Sequence, residues 1–310
     1  MTPLVKPNAV PHDALVAVVS PASTPRPDRV ERGLAALRAL GYAPQPASHI
    51  LTRGPLYFAG TPEMRLRDLH HAFADDEVRA IFSTRGGYGS AYLLDGLDLD
   101  LIAESVKPFL GYSDLTALQL WLLDQLQLPA FHGPMISADF ARQDGVHLPS
   151  LQAALGGQTY SLGAAEGLRT LHPGRARGTL YGGCLPMLVA LLGTPYEPQT
   201  EGKLLFLEDV NARPYQIDRM LWQLAQAGKL DGVRGIVFGE MLDCNSPGAP
   251  PELLDEVILR VFDQFQGPIA IGLQSGHVSG PNVTLTFGVE AELHAASEAT
   301  LDLLQPAVIP

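Results

Sequence analysis

The sequence predicts an α/β protein built as two domains, and three observations predict it. Several short, partly β-branched apolar runs end in Gly, Ser or Pro: 14–23 (ALVAVVSPAS), 78–89 (VRAIFSTRGGYG), 107–114 (KPFLGYSD) and 129–135 (PAFHGPM). Helical patterns lie between them, and strands without polar alternation that are separated by helices indicate a parallel sheet covered on both faces. The rhythm then fails over residues 142–175, rich in Gly, Ser and polar side chains, and resumes at RGTLYGGCLPMLVALLG (177–193). A chain of 310 residues is long enough for two ordinary domains. The expected boundaries are a first domain over 1–155, a connector over 156–175 and a second domain over 176–310.

Each element has its own signal. Residues 28–40 place Val30, Leu34, Leu37 and Leu40 at helical spacing, with Gly41 as the stop. Residues 62–73 start at Pro62 and carry Met64, Leu66, Leu69 and Phe73. In the second block the strand KLLFLED (203–209) precedes the helix IDRMLWQLAQAG (217–228). The strand GVRGIVFGEM (232–241) precedes the helix PELLDEVILRVFDQF (251–265), and GPIAIGLQSGH (267–277) follows. The final VTLTFGVEAELHAASEATLDLL alternates and reads as a β hairpin or meander.

Composition narrows the function. The net charge is −12 and no basic stripe offsets it, so nucleic acid is not an expected partner. The two cysteines, Cys184 and Cys244, have no CxxC or Cys/His neighbour, which argues against a zinc or disulfide framework and fits a reducing compartment. The N-terminal stretch has no signal-peptide core, and its first apolar run is too short to span a bilayer. A cytoplasmic location and no membrane partner are expected.

In open parallel sheets, ligands bind beyond the carboxyl ends of the strands. The polar residues there are Ser20, Ser23, Arg85 with Gly86 and Gly87, Ser113 with Asp114, His132, Glu208 with Asp209, Glu240 and His277. Ser113 sits where a strand turns into a helix. It is either an N-cap or a nucleophile on a sharp elbow, although GYSDL does not match GxSxG. A nucleophile needs a base and the base needs a carboxylate. His277, in the Gly- and Ser-rich QSGHVSGPN, is the better base; His132 in FHGPM is the rival. Glu208 ends a strand of apolar residues, where a carboxylate needs a partner such as a His N–H or an arginine at 213 or 219. The order Ser, Glu, His favours the elbow over the cap. In STRGGYGS (83–90) the glycines let backbone N–H groups approach a ligand, without dinucleotide or P-loop spacing. Gly86 or Gly87 is a candidate oxyanion donor, and Arg85 could hold a carboxylate.

STRGGYG, FLGYSDLTAL, FHGPM, GGCLPML with LLGTPYEP, LFLEDV with PYQIDRML, and GLQSGH together resemble the LD-carboxypeptidase family, the serine peptidases that include the microcin C immunity proteins. The resemblance runs from VVSPAS to the final strands. It implies an N-terminal parallel-sheet α/β domain of flavodoxin or Rossmann type, a smaller β-rich α/β domain, and a site between them. It implies a triad of Ser113, Glu208 and His277, an oxyanion hole from the N–H of Gly86 or Gly87 and of Asp114, no metal or other cofactor, and a homodimer. The implied reaction releases terminal D-alanine from murein tetrapeptides in cell-wall recycling. The alternative is a microcin-type peptidase cleaving peptidyl- or aminoacyl-nucleotide conjugates, for which Tyr215 and Trp222 are the suggestive aromatics. A non-catalytic α/β protein that binds a small molecule is the reading from another class. Two departures bear on substrate contacts: NAR (211–213) replaces a segment that usually carries an acidic residue, and Cys184 stands where an amide is common.

Overall fold

The computed structural model describes residues 3–245, 248–250 and 252–310. Met1, Thr2 and Pro251, the expected first residue of the last helix, lie outside the described residues.

Along the chain, β1 (Leu15–Val19), α1 (Pro27–Ala39), β2 (Ala43–Pro46), α2 (Pro62–Ala74), β3 (Val78–Ser83), α3 (Leu99–Glu104), β4 (Phe109–Gly111), α4 (Thr116–Leu126), β5 (Ala130–His132) and α5 (Leu148–Leu155) come first. Then follow β6 (Tyr160–Leu162), β7 (Arg169–His172), β8 (Gly174–Cys184), α6 (Leu185–Ala190), β9 (Lys203–Glu208), α7 (Pro214–Gln226), β10 (Gly235–Gly239), α8 (Leu253–Val261) and β11 (Ile269–Leu273). The chain ends with β12 (Leu285–Phe287), β13 (Glu290–Ala295) and β14 (Thr300–Leu303). It divides into two compact units, Met1–Gln158 with Gly280–Gly288 and Pro306–Pro310, and Thr159–Ser279 with Val289–Gln305.

The first unit holds a six-stranded sheet in the order β12-β5-β4-β3-β1-β2. The pairs among β1 to β5 are parallel and β12 joins β5 antiparallel. This is the doubly wound arrangement expected from the buried, non-alternating strands, with a flavodoxin-like order whose reversal falls between β1 and β3. The helix start at Pro62 is as read, and α1 begins one residue before the expected 28–40. Pro27 and Pro62 occupy the first turns of α1 and α2, and the Thr61 hydroxyl accepts from the Met64 N–H at 3.4 Å. Val30, Leu34 and Leu37 of α1 are buried.

Two buried polar side chains fix the strand that leads to Ser113. Lys107 donates from Nζ to the carbonyls of Ala72 (3.2 Å) and Phe73 (2.6 Å), and also to that of Asp75. These are carbonyls at the end of α2, which has no intrahelical donors left for them; burial lowers the Lys107 pKa. Gln119 of α4 donates from Nε2 to Gly111 O and Phe131 O, both at 2.9 Å, closing the ladder where β4 and β5 end.

The second unit holds an eight-stranded sheet in the order β6-β14-β13-β8-β9-β10-β11-β7. Its centre, β8 to β11 without β7, is parallel, and antiparallel pairs flank it on both sides. Two details differ from the sequence reading. Residues 156–175, read as a connector, carry the edge strands β6 and β7. Both are short, and of their residues only Leu162 is buried, so they are held by backbone pairing and leave little apolar pattern. The final alternating stretch is not one meander: β12 joins the first sheet, whereas β13 and β14 form a hairpin in the second. Among the described residues no helix is long and apolar enough to cross a membrane.

Candidate active site

Ser113 follows β4 and opens a single 3-10 turn, Ser113–Leu115, that runs into α4. Its φ is +66°, a left-handed value that a residue with a Cβ seldom adopts. Tyr112 before it is extended, so the chain turns sharply at the serine, and its hydroxyl makes none of the side-chain caps that a helix start would use. The structure therefore gives Ser113 the backbone of an elbow.

Gly86 packs directly on this turn. A Cβ at position 86 would lie 2.8 Å from Ser113 Cβ, 3.0 Å from its Oγ and 3.2 Å from the Asp114 nitrogen. Only a residue without a side chain leaves that space open beside the hydroxyl and the Asp114 N–H. Position 87 faces elsewhere, toward Ser23. Ser23 Oγ accepts the Tyr88 N–H at 3.0 Å and ties the loop to the end of β1. The Asp114 side chain is buried. Its Oδ2 accepts the Ser90 N–H at 2.8 Å, and Ser90 Oγ donates to Asp114 O at 2.5 Å. Burial raises the Asp114 pKa, against the Ser90 hydrogen bonds and the charge of Arg65. Arg65 is itself buried. It donates to Pro21 O (2.8 Å) and Gly89 O (2.7 Å) and lies over the Phe58 ring. Loop and elbow are thus one hydrogen-bonded piece. Arg85 is half-buried and donates from Nε to Gly86 O at 3.2 Å. His132 is fully buried, with its ring against Tyr112 and Phe287; it is a core residue of the first sheet.

In the second unit, Glu208 is the last residue of β9 and is buried. His277 lies in the loop after β11. Its Nδ1 is 2.7 Å from Glu208 Oε2, and its backbone N–H donates to the same oxygen at 3.0 Å. A carboxylate only accepts, so Nδ1 carries the proton and Nε2 keeps the lone pair. The loop is pinned further by the Gln274 N–H to Glu166 O (2.9 Å) and the Ser279 N–H to Glu240 Oε2 (3.0 Å). Gly276 is required here. Its φ is +91°, and a Cβ would come within 2.7 Å of the Glu208 carboxylate. Cys184, at the end of β8, pairs in register with Glu208. Burial, with Glu208 and Asp209 close by, pushes its thiol well up. Burial also raises Asp209 to about 6. Tyr215 and Trp222 of α7 are exposed.

The structure thus forms two groups of expected residues, Ser113, Asp114, Gly86, Gly87 and Arg85 in one unit, and Glu208 with His277 in the other. Arg65, Ser90 and Gly276 were not singled out from the sequence. The first lies in an ordinary helical pattern, and the others lie inside motifs that also carry more reactive side chains.

Comparison with known proteins decides the family. The family model of the LD-carboxypeptidase N-terminal domain matches residues 16–133, and that of the C-terminal domain matches 177–293. The chain belongs to the LD-carboxypeptidase family. It is 37% identical over 302 residues to the probable murein peptide carboxypeptidase of Bacillus subtilis, covering 96% of this chain and 93% of that one. The muramoyltetrapeptide carboxypeptidase of Oxalobacter formigenes superposes with a TM-score of 0.84 at 28% identity, over 94% of this chain and 99% of its own. An MccF-like protein of Bacillus anthracis superposes with a TM-score of 0.87 at 27% identity, over 96% and 99%. As an LD-carboxypeptidase family member the chain is a peptidase of the serine class. Its two family domains contain Ser113 in one and both Glu208 and His277 in the other.

Proposed function

We propose that this peptidase hydrolyses the L,D-amide of murein tetrapeptides and releases the terminal D-alanine, with Ser113 as nucleophile, His277 as base and Glu208 as the group that orients it. The reading rests most on the Glu208–His277 hydrogen bond, which leaves the imidazole Nε2 able to accept a proton. The left-handed turn at Ser113 supports the nucleophile, and the Bacillus subtilis and Oxalobacter formigenes relatives, named for murein peptide and muramoyltetrapeptide substrates, support the substrate.

In this mechanism Ser113 Oγ attacks the scissile carbonyl while Nε2 of His277 takes its proton. The N–H of Asp114 and one from Gly86 or Gly87 hold the oxyanion, where each donor lowers the barrier by about 3 kcal/mol. His277 then gives the proton to the leaving D-alanine amine, and water repeats the sequence on the acyl-enzyme. Arg85 is proposed to read the terminal carboxylate through its guanidinium. Action in the cytoplasm as a homodimer belongs to the same reading.

The test is incubation of the purified protein with a murein tetrapeptide, beside an aminoacyl-nucleotide conjugate, with products resolved by mass spectrometry. D-Alanine from the tetrapeptide is the expected result. Cleavage of the conjugate alone would assign the microcin-type activity instead.

A further inference from the structure

Glu208 and His277 share their end of the sheet with a third donor. The Cys184 sulfur, a Glu208 carboxylate oxygen and a His277 ring nitrogen all lie within 4.8 Å of one another. Cys184 and Glu208 are buried, and the His277 side chain is 23% exposed, so the cluster can be reached from the imidazole side. Asp209 adds a second observation. It is only 4% exposed, its Oδ1 accepts the Val210 N–H at 2.7 Å, and its Oδ2 has no hydrogen-bond partner among the described residues. Its charge acts on Cys184, on Glu208 and on His277. The hydrolytic mechanism uses neither Cys184 nor Asp209.

A thiol, an imidazole and a carboxylate in one cluster are the donor set of zinc sites. With metal–ligand bonds of about 2.0–2.3 Å, the widest gap has to close by about 1 Å. A buried carboxylate oxygen without a proton donor supplies negative potential that a cation would relieve. We propose that Cys184, Glu208 and His277 form a binding site for a borderline-soft divalent cation, zinc above all, whose occupation switches the peptidase off.

The proton balance gives the inhibition. On binding, the Cys184 thiol loses its proton to solvent and the thiolate bonds the metal. The Nδ1 lone pair of His277 bonds the metal, so the proton that Nδ1 had shared with Glu208 moves to Nε2. Glu208 turns an oxygen to the metal. An imidazole protonated at Nε2 has no lone pair left to accept a proton from a serine hydroxyl. Binding itself is independent of the proposed function; the inhibition rests on His277 acting as the base.

The experiment is a titration of the reduced, metal-free protein with Co²⁺, following the near-ultraviolet thiolate-to-cobalt band, and calorimetry with Zn²⁺. Saturation at a single cation per chain is expected, with the band displaced by zinc. Cys184→Ser and Cys184→Ala should lose the band and bind zinc roughly tenfold or more weakly, and Cys244→Ser should keep it. D-Alanine release by the wild type should fall with zinc and return with a chelator. Each Cys184 variant should be resistant relative to its own zinc-free rate. No saturable band in the wild type, or one that survives Cys184→Ser, overturns the site. A band with hydrolysis untouched by zinc overturns the switch. Absence of D-alanine release without metal speaks against the proposed substrate and leaves the cobalt result to decide the site.

Discussion

The Glu208 Oε2 oxygen accepts two hydrogen bonds from a single residue, the ring Nδ1–H of His277 at 2.7 Å and its backbone N–H at 3.0 Å. One carboxylate oxygen therefore fixes both the position of the loop and the tautomer of the ring. The arrangement couples the two, because an amide oxygen placed there would keep both bonds, whereas an amide NH2 would donate to Nδ1 and leave the His277 backbone N–H without that acceptor.

Glu208→Gln is expected to fold normally and to lose on the order of 10⁴-fold in kcat, with little change in KM. An amide can donate to Nδ1 and so stabilise the tautomer with its proton on Nε2. Steady-state kinetics on a murein tetrapeptide check this, and a loss confined to KM would contradict the orienting role.

Gly86→Ala should cost about 100-fold in kcat, since its Cβ would come 2.8 Å from Ser113 Cβ and force the elbow to shift. Thermal unfolding of the same variant should also shift downward, because residue 86 is buried against the Ser113 turn and the added Cβ overpacks it. Wild-type turnover in Gly86→Ala would show that the close approach has no catalytic consequence.

Gln119→Leu should destabilise the first unit by about 2 kcal/mol. It leaves the Gly111 and Phe131 carbonyls without their side-chain donor in a buried setting. Chemical denaturation measures this, and an unchanged midpoint would rule out the tie between α4 and the ends of β4 and β5.

Asp139 provides the pH dependence. It is fully buried, accepts the Met135 N–H at 2.9 Å, and is raised by that burial from 3.8 to about 6. The folded protein thus holds the proton more tightly than the unfolded chain. The resulting stabilisation is complete below about pH 4 and is lost as the pH rises through about 6, a change of about 3 kcal/mol. Asp139→Asn removes this contribution. The stability difference between wild type and variant, from urea unfolding, should therefore fall by about that amount between pH 4 and pH 7.5. A pH-independent difference would contradict the assignment.

Much of this architecture was legible because it follows from local pattern. β1, β3, β9 and β10 are apolar runs ending in Gly, Ser or Glu, and α1 and α2 repeat Leu at helical spacing after a proline. Glu208 was legible for the same reason, as a carboxylate closing a buried strand. β6, β7 and β12 were not. They contain three or four residues each, and their pairing partners are distant in sequence, so backbone hydrogen bonds define them without a repeating apolar face. The choice between Gly86 and Gly87 was equally hidden, since three glycines in a row of four look alike until the Ser113 Cβ fills the space beside one of them. Lys107, Gln119 and Arg65 carry no signal of burial in the sequence. Their burial depends on carbonyls from other elements, which no local pattern reveals.

The most direct test of the central claim is to treat the protein with a serine-directed phosphonate and map the adduct by mass spectrometry. A single adduct on Ser113, formed in step with the loss of D-alanine release and absent from Ser113→Ala, is the expected result. Undiminished turnover by Ser113→Ala, or full inactivation with the label on another residue, would contradict it.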